Sequence, residues 1–332
     1  MKKILLSLLA AVLITTGILW FWNFGKNETV EWGVTFSQIQ TDYLKLDWKK
    51  TYTAILDDLG VKNLRLLAYW SQIGVKDGDY NFTDLDWQVQ EAERRGIKIV
   101  LGIGRRLPRW PECQAPEWTE DLSETEIQQK ILTMLQTTVE HYKKYNNIVM
   151  WQVDNEPLVD WFGQCPPPDK NFVKQEIALV KSLDSRPILV TDSGELSFWR
   201  EASKLGGDYF GTTMYRTVWN NTTGYFSYKY LIPPAFYNFK ARLAKLNPAK
   251  VIIAELQAEP WLREDISLIS LEEQKQSMTA EKMEEAVRFA RRTGFGAAYL
   301  WGAEYWYWLK TEKNDDSLWW TAKQIFQNNL PK

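Results

Sequence analysis

The chain has 332 residues, 45% hydrophobic and 25% charged, with a formal net charge of -2. That composition describes a globular body large enough for one large domain or two small ones, and its charge balance gives no reason to expect nucleic acid as a partner. The single histidine, His141, lies in a helical pattern beside Lys143 and Lys144, so neither Ser-His-Asp hydrolysis nor a histidine-rich zinc site is expected. Carboxylates must carry the chemistry, and neither a metal nor a cofactor is implied.

In chain order, Met1-Lys2-Lys3 precedes a mostly apolar run from Ile4 to Phe24. A run of that length suits a helix crossing a bilayer. A cleaved signal peptide has a shorter apolar core ending in a small-x-small site. Here Ala10 and Ala11 come early, and Ile18-Leu19-Trp20-Phe21-Trp22 carries the run onward with two indoles at interfacial depth. The expectation is a single-pass signal anchor over residues 1–24, with the N-terminus cytoplasmic and the body outside; a cleaved signal is the alternative. A polar linker over 25–30 and one catalytic domain over 31–332 complete the chain.

From Glu31 onward a unit of strand, loop, helix, Gly and strand recurs. The predicted strands are Trp32–Phe36, Asn63–Ala68, Lys98–Gly102, Ile148–Val153, Ile188–Thr191, Tyr209–Met214, Val251–Ala254 and Ala297–Trp301. Gly60, Gly96 and Gly294 stand where a helix needs a left-handed cap before the next strand. Ser123-x-x-Glu126 is a capping box that opens a helix with the stripe Ile127, Ile131, Leu135, Val139 and Tyr142; His141 reads as a solvated residue of that helix. Met283, Ala286, Val287 and Ala290 mark the buried face of a late helix. Eight strands alternating with helices imply an α/β fold with a parallel sheet closed as a (β/α)8 TIM barrel. The open doubly wound alternative usually binds a phosphate-bearing ligand at a glycine-rich turn after its first strand, where this chain has Ser37-Gln38-Ile39-Gln40.

A barrel of this kind builds its site at the C-terminal ends of the strands. The fourth strand runs into Asp154-Asn155-Glu156-Pro157, where proline stops further ladder pairing. The seventh, Val251–Ala254, is followed by Glu255. Arg65 lies on the second strand, Tyr215 follows the sixth and Trp301 ends the eighth. Two strand-end glutamates are what two-carboxylate glycoside hydrolysis requires. Glu259 and Glu304 are rival nucleophiles, and Glu255 is preferred because it directly terminates an apolar strand. Eighteen tryptophans exceed ordinary usage and suit both a core and a sugar-stacking cleft. Cys113 and Cys165 fall in proline-rich loops past predicted strands. In an oxidising compartment they would form one disulfide, with two free thiols as the alternative.

These residues resemble the retaining (β/α)8 glycoside hydrolases of clan A, especially the cellulase-like and mannanase-like enzymes of glycoside hydrolase family 5. Trp151-Gln152-Val153-Asp154-Asn155-Glu156-Pro157 is similar to the clan's Asn-Glu-Pro signature, whose Glu is the acid/base. Ala254-Glu255 resembles its nucleophile, Arg65 its second-strand arginine, Tyr215 its sixth-strand tyrosine and Trp301 the tryptophan under the sugar. Gly78-Asp79-Tyr80-Asn81-Phe82-Thr83-Asp84-Leu85-Asp86 resembles a segment of related β-galactosidases. The resemblance implies a retaining, endo-β-glycanase-like O-glycosyl hydrolase acting on an oligo- or polysaccharide, with Asn155 at the sugar 2-hydroxyl. A transglycosylase on the same residues and a non-catalytic carbohydrate-binding barrel are the alternatives.

Overall fold

The computed structural model describes residues 17–26 and 29–327. Eight strands form the frame: β1 (Glu31–Thr35), β2 (Asn63–Leu67), β3 (Lys98–Ile103), β4 (Ile148–Val153), β5 (Ile188–Asp192), β6 (Tyr209–Met214), β7 (Val251–Gln257) and β8 (Ala297–Trp301). Each pairs in parallel with its sequence neighbours, and β1 closes the barrel against β8. Most strand residues are buried, which is why they read as near-continuous apolar runs. Val100, Leu189, Ile252 and Tyr299 form their own cluster, separate from the larger core between strands and helices.

The longer helices are α1 (Trp48–Asp57), α2 (Thr83–Arg94), α3 (Glu124–Tyr142), α4 (Lys170–Leu183), α5 (Pro234–Leu243), α6 (Ala280–Arg291), α7 (Ala303–Glu312) and α8 (Ser317–Phe326). The capping box at Ser123 and Glu126 is formed. Gly60, Gly96 and Gly294 take φ of +71°, +65° and +78° at the helix-to-strand joints, a conformation that costs glycine little. One unit departs from the expected alternation. Between β5 and β6 only a 3-10 turn, Ala202–Lys204, is present, and the buried Trp199 packs there against Phe210 with ring centroids 5.1 Å apart.

Two further expectations are corrected. The seventh strand does not stop at Ala254; it runs to Gln257, so Glu255 lies within β7 rather than at its end. The registers explain this. Ile253 pairs with Thr212 and Glu255 with Thr213, so β7 carries one extra residue, a bulge just before the glutamate. His141 is not a freely solvated helix residue: its Nε2 lies 2.7 Å from Asp86 Oδ1, and its ring stacks on Phe82 at 4.3 Å. The stripe of α3 could not reveal that contact, because the partners come from the segment leading into α2 and from α2 itself.

Most of the expected membrane anchor, residues 1–16, lies outside the described residues. Residues 17–21 form a short helical piece, and no helix among the described residues is long and apolar enough to cross a membrane. The stretch after that piece is docked rather than free. Phe24 N donates to Arg292 O at 3.2 Å, and the Phe24 ring meets Phe239 edge-on at 5.6 Å. This contact sits at the turn from α6 into β8, where strands enter the barrel. Cys113 and Cys165 are bonded, with Cα atoms 5.3 Å apart; the bridge ties the β3–α3 loop to the β4–α4 loop.

Candidate active site

The end of β4 is an unusual piece of backbone. Asp154 and Glu156 adopt φ of 53° and 45°, left-handed values uncommon outside glycine. Three hydrogen bonds hold the bend: Asp154 N to Ile103 O at 2.9 Å, Asn155 N to Arg106 O at 2.6 Å and Glu156 N to Thr191 Oγ1 at 2.8 Å. Strain of this kind persists where surrounding structure over-determines it, and it clusters at functional sites.

Arg65 is the hub. Fully buried on β2, it donates from Nε to Gln152 Oε1 at 2.7 Å, from Nη1 to Glu255 Oε1 at 3.0 Å and from Nη2 to Asn155 Oδ1 at 2.8 Å. The planar guanidinium thereby fixes a carboxylate and two amides at once, which an ammonium could not. Tyr215 donates its hydroxyl to the other oxygen of Glu255 at 2.9 Å. Arg65, Asn155, Tyr215 and Glu255, separate in sequence, form one hydrogen-bonded group.

Glu156 faces this group. Its pKa is raised well above the usual carboxylate range, first by burial and then by the negative charges of Glu255, Glu112 and Asp192. Its Oε1 is buried with no hydrogen-bond partner among the described residues. A neutral carboxyl with an unengaged oxygen beside an ion-paired carboxylate is the chemical asymmetry a proton donor and a nucleophile need.

Trp301 ends β8. Its ring carries the Arg109 guanidinium, whose Cζ lies 4.0 Å from the ring centroid. Arg109 is in turn ion-paired with Glu259, and its Nη2 donates to Glu304 Oε2 at 3.2 Å. Glu304 also accepts from Ser37 N at 2.5 Å and is pushed up to about 7, burial being the main cause. The two rival carboxylates are thus engaged with Arg109, while Glu255 is the one facing Glu156. Four rings lead from the nucleophile candidate to the rim: Tyr215 to Trp261 at 5.1 Å, Trp261 to Phe162 at 5.7 Å and Phe162 to the exposed Trp110 at 6.1 Å.

Sequence reasoning missed Gln152, Arg109 and Glu112. Gln152 was legible in principle, as an inward residue three positions before Asn155 in a buried strand. Arg109 and Glu112 lie in the loop Arg105–Gln114, where nothing periodic marks which side chains turn inward. Among the described residues, no set of three His, Cys, Asp or Glu side chains is arranged to hold a metal ion.

The closed (β/α)8 barrel gathers Arg65, Asn155, Tyr215 and Glu255 into one hydrogen-bonded group at its C-terminal mouth, where barrels of this class carry their active sites. Residues 26–232, more than half of the chain, match the cellulase family, glycosyl hydrolase family 5. The chain belongs to that family. It is 23% identical over 208 residues to β-galactosidase BgaA of Clostridium cellulovorans, covering 55% of this chain and 32% of that protein. The chain therefore spans about a third of the length of that relative. The fold is shared with xylanase 10B from Thermotoga petrophila RKU-1, solved with xylobiose (TM-score 0.59, 14% identity, 92% of this chain and 96% of that one). It is shared also with GH5_18 from Streptomyces cattleya, solved with GlcNAc (TM-score 0.59, 12% identity, 82% and 70%).

Proposed function

We propose that this protein is a retaining glycoside hydrolase of β-linked glycans, with Glu255 as nucleophile and Glu156 as acid/base. The observation that carries the reading is the contrast between the two carboxyls: Glu255 is gripped by Arg65 and Tyr215, whereas Glu156 is half-buried, held above the usual carboxylate range and unpartnered at its buried Oε1. In this scheme Glu156 protonates the leaving glycosidic oxygen while Glu255 attacks the anomeric carbon. The ester neutralises Glu255, and with it the largest charge holding the proton on Glu156. Glu156 then becomes the base that activates water. Asn155 serves the sugar 2-hydroxyl, and the ring series from Tyr215 to Trp110 offers flat faces to an extended glycan. A binding-only barrel has no use for this charge asymmetry.

The test is a panel of glucans, mannans, xylans and galactans, with the first-formed anomer followed by NMR. Retained configuration is expected; an inverted first product would falsify the double-displacement scheme.

We further propose that the run Ile4–Phe24 anchors the protein, with the catalytic body, residues 31–332, outside in an oxidising compartment. Phe24 docks at the end of the barrel opposite the strand ends that carry the site, an arrangement that would point the cleft away from the membrane. The full-length protein should fractionate with membranes and its body should be open to external protease. Recovery of a soluble mature form starting near Lys26 would overturn the anchor.

A further inference from the structure

Glu112 is a buried carboxyl beside the reacting centre for which the two-glutamate scheme has no task. Its place is built from both sides. It has φ of +74°, Leu107 N donates to its carbonyl at 2.9 Å, and the next residue, Cys113, is bonded to Cys165. Across from it, Gly163 (φ +87°) approaches so closely that a Cβ there would lie 2.8 Å from Glu112 Cβ. Two loops joined by the disulfide thus clamp one acidic side chain. Burying a carboxyl near two others is costly, and an apolar side chain of similar size would avoid that cost.

The contacts indicate the task. Asn155 Oδ1 is already engaged by Arg65 Nη2 at 2.8 Å, Gln152 Nε2 at 3.2 Å and Thr191 Oγ1 at 3.3 Å. Its amino group is left to face Glu112 Oε2, 3.5 Å away. The charged groups around Glu112 are Glu255 on β7, Arg65 on β2, Arg106 on its own loop and Glu156 beyond β4; the Tyr69 hydroxyl also feels it. Burial, then the charge of Glu255, push Glu112 up to about 8.

Resting on the two-glutamate reading, we propose that Glu112 is a third working carboxyl of this site: it orients the Asn155 amide toward the sugar, and its negative charge, once formed, keeps the proton on Glu156. As pH rises, Glu112 ionises, and the added charge opposes ionisation of Glu156. The acid function therefore survives to higher pH than it would with a neutral residue at position 112.

The test compares wild type with Glu112→Gln, nearly the same shape but never charged. The probes are β-1,4-linked cello-, manno- and xylo-hexaose, and 4-nitrophenyl β-glycosides of the same sugars. On a hexaose that is turned over, the alkaline limb of kcat/KM should move to lower pH by about one unit in Glu112→Gln. On the 4-nitrophenyl glycoside, whose leaving group needs no proton, the limb should stay in place. Losses in Glu112→Ala and Asn155→Ala should be strongly non-additive in a double-mutant cycle. Superimposable hexaose limbs, or additive losses, would overturn the proposal and leave Glu112 a packing residue. Wild-type turnover in Glu156→Ala and Glu255→Ala would instead overturn the two-glutamate reading itself, so the two failures are distinguishable.

Discussion

Glu255→Ala is expected to lose turnover by roughly 10,000- to 1,000,000-fold, the scale seen when a residue acting within a catalytic unit is removed. The alanine leaves Arg65 and Tyr215 without the oxygens they now hold at 3.0 and 2.9 Å. Azide, small and anionic, should enter beside Arg65 and restore part of the rate, giving a glycosyl azide of inverted configuration. Glu156→Ala should behave differently. On unactivated glycans the loss should be about 100- to 10,000-fold, the usual worth of general acid catalysis, while substrates with good leaving groups keep their first step. Glu259→Ala should leave most of the activity, because that carboxylate is engaged with Arg109 rather than facing Glu156. A dead Glu259→Ala alongside an active Glu255→Ala would reassign the nucleophile.

Arg65→Met should cost both stability and activity. It removes the cation from a buried pair and strips donors from Gln152 and Asn155 in the same step. Breaking a buried ion pair from one side costs about 3–5 kcal/mol, because the remaining charge is uncompensated. For a protein of this size that corresponds to a fall in Tm of roughly 5–8 °C, readable by calorimetry. Turnover should fall with it, since Glu255 loses the guanidinium donor that now fixes its Oε1 at 3.0 Å. Removing both charges in Arg65→Met/Glu255→Met should recover part of the lost stability and none of the activity. A single Arg65→Met variant as stable and active as wild type would show that the pair has neither role.

The barrel was legible in local pattern, although the seventh strand runs past its expected end at Ala254 to Gln257. Period and punctuation carry that information: apolar runs of strand length, amphipathic helices and glycine joints recur whatever the tertiary contacts turn out to be. The same logic brought out Arg65, Asn155, Glu156, Tyr215 and Glu255, because parallel barrel strands deliver their last residues to one mouth. Where a local signal was weak, tertiary structure decided. The bulge that sets Glu255 inside β7 arises from pairing with β6 and β8 and leaves no mark on the run Val251–Gln257. His141 is held by Asp86 and Phe82, which a helix stripe cannot announce. The loop Arg105–Gln114 has no period at all, yet through Cys113–Cys165 it turns Arg109 onto Trp301 and Glu112 toward Asn155. Strands and helices are written in local pattern, whereas the charge balance at the mouth depends on which loop side chains are buried against one another, and only the folded packing fixes that.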